Sequence, residues 1–244
     1  MSRESRETKP GSLTEAGVKA TTGVIVATVS AFSPVAGLVA GAAKEYADAP
    51  IVRLMEGVRR RREDRAVQAL EAASEEARQP LNRLVHTIET SPELLALMSE
   101  TVQAAMETPL TEKITALGRC LGRGVRDETR VDAERLRVRG LAGIEEPEVK
   151  LLEVLARENH VAPEGAFEQR WPGWRRPEIL TELPGFVGVL DASIARLTRE
   201  GVIKDDGIVR VFEADHDGAP ETWILTDFGR DCLSLLWAAS PRGL

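Results

Sequence analysis

From Ala47 to Ala166 the chain carries no aromatic side chain; Phe32 and Tyr46 are the only aromatics that come earlier, and all the others follow. A core built from that stretch has to be filled by Leu, Val, Ile, Met and Ala. The last third of the chain instead has tryptophans and phenylalanines, each able to anchor a small core by itself. The chain therefore divides in two.

Charge divides along the same line. The formal net charge is -7, from 32 Lys and Arg against 39 Asp and Glu. From Glu148 onward there are 17 acidic and 11 basic residues, so this part holds -6 and everything before it only about -1. A field of this sign repels nucleic acid and anionic membrane surfaces, and binding to either requires a local basic patch. A composition of 43% hydrophobic and 29% charged residues is globular and excludes disorder, collagen-like and disulfide-scaffold classes for the bulk of the chain. The two cysteines, Cys120 and Cys232, have no paired spacing, which argues against zinc, redox chemistry and a secreted scaffold and favours a reducing, cytoplasmic setting.

Residues 1–19 are polar and read as a disordered arm. Residues 20–49 read as an apolar Gly/Ala-rich hairpin or a membrane-associating segment. Ala20 to Ala43 has no charged residue and is long enough to cross a bilayer. Val24, Ile25 and Phe32 favour insertion, interleaved Thr, Ser and Gly oppose it, and Pro34 breaks or kinks the middle. Gly37 and Gly41 stand at G-x-x-x-G spacing, with Ala36 and Ala40 beside them, so a second helix can approach closely. Burial within the protein or an oligomer and insertion at the inner face of the cell membrane are both open.

Residues 50–146 read as a helical bundle. Ile51, Leu54, Met55 and Val58 begin an apolar series that continues through Val67 and Leu70, as expected of one long helix over Ile51–Gln79. Within it, Arg59, Arg60, Arg61 and Arg62 form a run followed by Glu63, Asp64 and Arg65. One reading is a solvated face with i to i+4 ion pairs; the other is a basic cluster at anionic headgroups beside an inserted segment. Leu81, Leu84, Val85 and Ile88 give the next amphipathic stripe, and Ser91-Pro92-Glu93 starts a helix with a hydroxyl cap and proline in the first turn. Ile114, Leu117 and Leu121 mark a helix over Thr111–Val125, in which Gly118, Gly122 and Gly124 signal close packing or the helix end. Asp132 is expected to cap one more, through Leu136 and Leu141.

Residues 147–244 change character. A helix over Glu148–Asn159, a loop containing Trp171 and Trp174, and a helix over Arg175–Leu183 are followed by the stripe Val187, Leu190, Ile194 and Leu197, which ends at Gly201. Then the period shortens to that of strands, in Ile208–Glu213 and Thr222–Leu225, around the turn signal Asp215-His216-Asp217-Gly218. Thr226 caps a last helix, Asp227–Trp237, with Phe228, Cys232, Leu235 and Leu236 on its apolar face. The expected fold class is mainly α, a helical bundle followed by a small α+β domain.

The order helix, helix, helix, short strand, hairpin, helix, with LTREGVI entering the hairpin and WILTDFGRDCLSLL leaving it, resembles the winged helix-turn-helix domain of bacterial regulators. The resemblance implies that the helix around Leu190–Arg199 would lie in the DNA major groove. Its outward residues are Asp191, Ala192, Ala195, Arg196, Thr198, Arg199 and Glu200, and Arg210 is the one basic residue of a wing that also carries Glu213, Asp215, Asp217 and Glu221. Two arginines opposed by acids, with no Asn or Gln to read adenine, make a poor DNA-reading face. A protein-contact or self-association module is favoured over a DNA-binding regulator; Ala192 and Ala195 admit a close helix, and Arg175 and Arg176 are further candidate contacts. The layout of residues 20–155 before such a domain is similar to that of uncharacterised bacterial abortive-infection proteins of the alpha type, which implies a phage-defence effector acting at the membrane.

No catalytic residue, cofactor or metal site is assigned. His86, His160 and His216 lie far apart, the Asp215 turn lacks the ligands of a calcium loop, and GRCLGRG is neither a P-loop nor a dinucleotide fingerprint. The expected function is that of a non-enzymatic regulatory or defence-type effector that oligomerises through its helical part.

Overall fold

The computed structural model describes residues 49–157, 173–206 and 222–240, which are mainly helical with a three-stranded antiparallel sheet. The arm over 1–19, the apolar residues Val24, Ile25, Phe32, Gly37 and Gly41, the histidines His160 and His216, Trp171, and the strand expected over Ile208–Glu213, with Arg210 and the Asp215 turn, lie outside the described residues.

The aromatic-free stretch forms helices α1 (Ala49–Ala77), α2 (Leu81–Glu89), α3 (Pro92–Glu107), α4 (Thr111–Arg126) and α5 (Val131–Ala142). Helix α3 starts as its sequence dictates: Pro92 occupies the first turn and the Ser91 hydroxyl accepts the Leu94 amide at 3.4 Å. Without large side chains, the helices fill space by approaching one another. Helix α4 lies so close to α1 that a Cβ on Gly118 would stand 2.2 Å from the Ala69 carbonyl oxygen, and one on Gly122 would stand 2.6 Å from that of Ala73. The glycines at 118 and 122 are therefore packing residues, as their placement in an apolar helix suggests. Gly124 makes the same kind of approach to the Leu97 side chain.

The start of α5 departs from expectation. Asp132 does not cap it but lies in its first turn. The chain enters through a 3-10 turn over Glu128–Arg130, where the Asp127 carboxylate accepts the Thr129 amide at 3.2 Å. The buried face of α5 is Val131, Glu134, Val138 and Leu141; Leu141 is in the core as expected, while Leu136 is 58% exposed.

The remaining elements are α6 (Glu146–Leu155), β1 (Trp174–Arg175), α7 (Arg176–Glu182), α8 (Leu190–Arg199), β2 (Ile203–Asp205), β3 (Thr222–Leu225) and α9 (Asp227–Ala239). The sheet order is β1-β3-β2, with Trp174 opposite Trp223 and Ile203 opposite Leu225. Val187 is exposed and precedes α8, so the buried stripe is Leu190, Ile194 and Leu197. Gly201, at φ +71, ends α8: its amide bonds to the Thr198 carbonyl at 3.0 Å and that of Val202 to Leu197 at 2.9 Å, leading straight into β2. Thr226 caps α9 as expected, accepting the Gly229 amide at 2.9 Å, while its hydroxyl donates to the Gly201 carbonyl at 2.7 Å.

Buried apolar residues from Ala66 to Leu236 form one contiguous cluster across both parts of the chain. Helix α9 reaches back to the bundle, where a Cβ on Gly140 of α5 would stand 2.7 Å from the Phe228 ring, and Arg137 of α5 binds Asp231 of α9 at 2.9 Å.

Candidate functional site

The outward face of α8 mixes Ala192 and Ala195 with exposed Asp191, Thr198 and Arg199, and the loop before it adds two exposed valines. Val187 is 72% and Val189 52% exposed, and Ala192 and Ala195 continue the same face at three-residue steps. Short side chains there leave the helix backbone accessible. Three of the arginines named as candidate contacts lie against carboxylates, as the acids opposing them in the sequence suggest. Arg176, in the first turn of α7, pairs with Asp191, Arg199 binds Glu200 at 3.0 Å, and Arg196 lies 3.7 Å from Glu148. Arg175 is half-buried at the start of α7, where its amide donates to Glu178 at 2.8 Å. Arg210 lies outside the described residues.

Arg196 leads inward to a buried polar path that the sequence reading missed. Glu148, 5% exposed, accepts the Ser193 hydroxyl of α8 at 3.4 Å with one oxygen and the Glu145 amide at 3.1 Å with the other. The Glu145 carboxylate in turn accepts the Thr108 hydroxyl at 3.1 Å and Lys113 Nζ at 2.6 Å. Lys113 is 1% exposed, and its ammonium also donates to the carbonyls of Ala142 at 3.0 Å and Ile144 at 2.9 Å, so all three of its donors are satisfied at the C-terminal end of α5. Burial pulls the Lys113 ammonium below its ordinary pKa, and the hydrogen bond and charge of Glu145 oppose that shift. One side-chain path thus joins the α3–α4 connection, the α5–α6 connection and α8. Its trace in the sequence was Lys113, four residues before Leu117 on the apolar face of α4.

A second buried acid, Glu134, accepts from Arg137 at 3.1 Å and lies 3.4 Å from Arg130. It is close to Cys120, whose thiol is pushed up in pKa by burial first and by the Glu134 charge second; burial pushes Cys232 up to about 12. Both thiols are buried and un-ionised at neutral pH. Among the described residues, no group of three or more His, Cys, Asp or Glu side chains is placed to hold a metal ion, and His86 is exposed on α2.

Arg59, Arg60, Arg61 and Arg62 are all exposed on α1, and Arg59 lies 3.3 Å from Glu63, the i to i+4 pair expected of a solvated face. Among the described residues, no helix is long and apolar enough to cross a membrane.

Compared with known proteins, the chain matches no family model, no curated protein and no solved structure.

Proposed function

We propose that residues 147–244 are a winged-helix module used for protein contact, in a non-enzymatic regulatory or effector protein. The fold-level support is topological: α6, β1, α7, α8, β2 and β3 follow one another in the order of a winged helix, with the third strand between the other two. The observation that carries the functional reading is the outward face of α8, in the place where a DNA-binding member of that family presents its base-reading side chains. Here Ala192 and Ala195 on the helix and Val187 and Val189 just ahead of it form an aliphatic patch beside exposed Asp191, Thr198 and Arg199, and the arginines are already paired with Asp191, Glu148 and Glu200. Aliphatic groups next to alanines fit a partner helix that presents larger aliphatic side chains, and they offer duplex DNA neither a donor for guanine nor an amide for adenine.

The full-length protein, titrated with a mixed-sequence DNA duplex at low salt, is expected to give no anisotropy change. A salt-sensitive shift lost in Arg196→Ala with Arg199→Ala would overturn the protein-contact reading and establish a DNA-binding regulator. Ala192→Glu with Ala195→Glu, both on exposed positions, is expected to leave the melting curve unchanged while abolishing the protein's activity in cells. Retained activity would count equally against the reading.

A further inference from the structure

Among the described residues, ten large apolar side chains are exposed, and five of them, Ile51, Val52, Leu54, Met55 and Val58, fall within the first ten residues of α1. At helical spacing these five share one side of the helix, and Arg53, Glu56 and Gly57 take the other. The helix joins the bundle only further on, at Arg65, whose guanidinium donates to the Met106 carbonyl at 3.2 Å, and at Ala66, its first buried residue. Between the aliphatic turns and that junction stand Arg59, Arg60, Arg61 and Arg62, all exposed. Arg59 lies 3.3 Å from Glu63, but among the described residues no carboxylate pairs with Arg60, Arg61 or Arg62, in contrast to the arginines around α8. From Ile51 to Arg62 there are five basic residues against Glu56 alone, a local charge of +4 in a chain of net -7.

We propose that this end of α1 is an interfacial helix that lies on an anionic lipid surface, with the five aliphatic side chains at the acyl boundary and Arg60, Arg61 and Arg62 on the lipid phosphates. It is a different surface from that of α8, and the inference stands apart from the protein-contact reading. The apolar and the basic residues each fix part of the occupant's chemistry. Two turns of aliphatic side chains bury too little to hold a bilayer by themselves, and a basic cluster alone would hold any polyanion. Adjoining, they supply the two signals that stable surface binding requires. Arg59 and Arg62 interrupt the apolar side only at its bundle end, where their methylene stems extend the aliphatic surface and carry the guanidinium groups back to headgroup level. Duplex nucleic acid would engage the arginines and leave Ile51, Leu54 and Met55 in water. A second copy also fits less well: packed parallel it sets two four-arginine runs side by side, and packed antiparallel it offers a two-turn contact, below the roughly 1,200 Å² of a stable interface.

The test is co-sedimentation of the full-length protein with vesicles of mixed phosphatidylglycerol and phosphatidylcholine, and with vesicles of phosphatidylcholine alone. Binding is expected to the first and not the second, and to weaken as salt is raised. Arg60→Gln with Arg61→Gln and Arg62→Gln should lower the affinity about a hundredfold, and Leu54→Gln with Met55→Gln about tenfold or more. Both sets lie on exposed positions, so the melting curve should not move. An environment-sensitive fluorophore on Leu54→Cys reads the contact directly, since Cys120 and Cys232 are buried; its emission should shift to the blue when anionic vesicles are added. Absence of vesicle binding overturns the proposal, as does equal binding to phosphatidylcholine alone. So does binding that the Leu54/Met55 variant keeps while the label at position 54 stays in water, which would assign the lipid contact to another part of the chain. Binding of a mixed-sequence duplex that is lost in the arginine variant would give the surface to nucleic acid, and a change of oligomeric state in the Leu54/Met55 variant without lipid would give it to a second copy; either result also overturns the proposal.

Discussion

Replacing Gly118 by alanine tests whether the bundle is held by backbone approach. In an ordinary helix interior the substitution stabilises by about 1 kcal/mol, because glycine loses more backbone freedom on folding. Here the new Cβ would stand 2.2 Å from the Ala69 carbonyl oxygen and 2.8 Å from the Ala72 Cβ. The first obstacle is backbone and cannot rotate aside, so α1 and α4 must separate by about 1 Å to restore contact distances. Overpacking of this kind costs about 1–3 kcal/mol or more, and an immovable neighbour places Gly118 at the upper end, for a net loss of about 2 kcal/mol after the propensity gain. Gly57 is the internal control. It lies in α1, off the Ile51/Leu54/Met55/Val58 stripe, and a Cβ there meets no atom within 4 Å, so Gly57→Ala is expected to stabilise by up to about 1 kcal/mol. Urea unfolding followed by circular dichroism at the helix band measures both. The two glycine-to-alanine changes should move the midpoint in opposite directions, separated by about 3 kcal/mol. If Gly118→Ala is as stable as the unaltered protein, the α1–α4 contact is not close enough to decide the packing and the argument fails.

Two further outcomes follow from the charged groups. Lys113→Met leaves the Ala142 and Ile144 carbonyls and the Glu145 carboxylate without their donor, and should destabilise by about 3 kcal/mol, the low end for a broken buried pair because Glu145 is partly exposed; a loss below about 1 kcal/mol in urea unfolding would show that the ammonium does not organise this junction. Burial raises the pKa of Glu100, but the bonds and charges of Arg139 and Arg135 outweigh it and hold the carboxyl below its ordinary 4.5. A depressed carboxylate contributes stability that is present above the unfolded value and lost as pH falls through the folded one. The stability gap between the unaltered protein and Glu100→Gln should therefore narrow as pH is taken below 4.5, and a gap independent of pH in that window would refute the assignment.

Where the sequence is legible, a local rule decides the outcome. Ser91 with Pro92, Thr226, and Gly201 after Leu197 are terminus signals that act within four residues, and each places a helix end where the structure has it. Leu190, Ile194 and Leu197 are read correctly because one helix face meets one core. Asp132 misleads because a 3-10 turn closed by Asp127 and Thr129 leads into α5 ahead of it, and Leu136 misleads because the buried face Val131, Val138 and Leu141 also holds a charged residue, Glu134. Glu145 and Glu148 are joined locally, three residues apart, as the capping box of α6, but their links to Lys113, Thr108 and Ser193 span 32 to 45 residues, and nothing in the local pattern specifies those partners. The arginine pairings are of the same kind, since Arg176 meets Asp191 only once α7 and α8 are packed.

Those pairings also bear on what α8 can meet. Arg157 binds Glu182, Arg230 lies 3.6 Å from Asp227, and Arg176, Arg196 and Arg199 are held as described, so these five arginines are engaged within the fold. Exposed ion pairs contribute only about 0–1 kcal/mol each, so breaking them is not the barrier to DNA. The barrier is what remains. An arginine that leaves Asp191 or Glu200 for a phosphate leaves that carboxylate beside the phosphate, and attraction gained at one atom is largely returned as repulsion at the next. An uncharged partner helix demands no such exchange: it meets Val187, Val189, Ala192 and Ala195 and leaves the surrounding ion pairs in water, where they act as a polar rim. On the reading proposed above, the excess of acid in the last third of the chain disfavours a nucleic acid at α8 and leaves an aliphatic contact there unopposed.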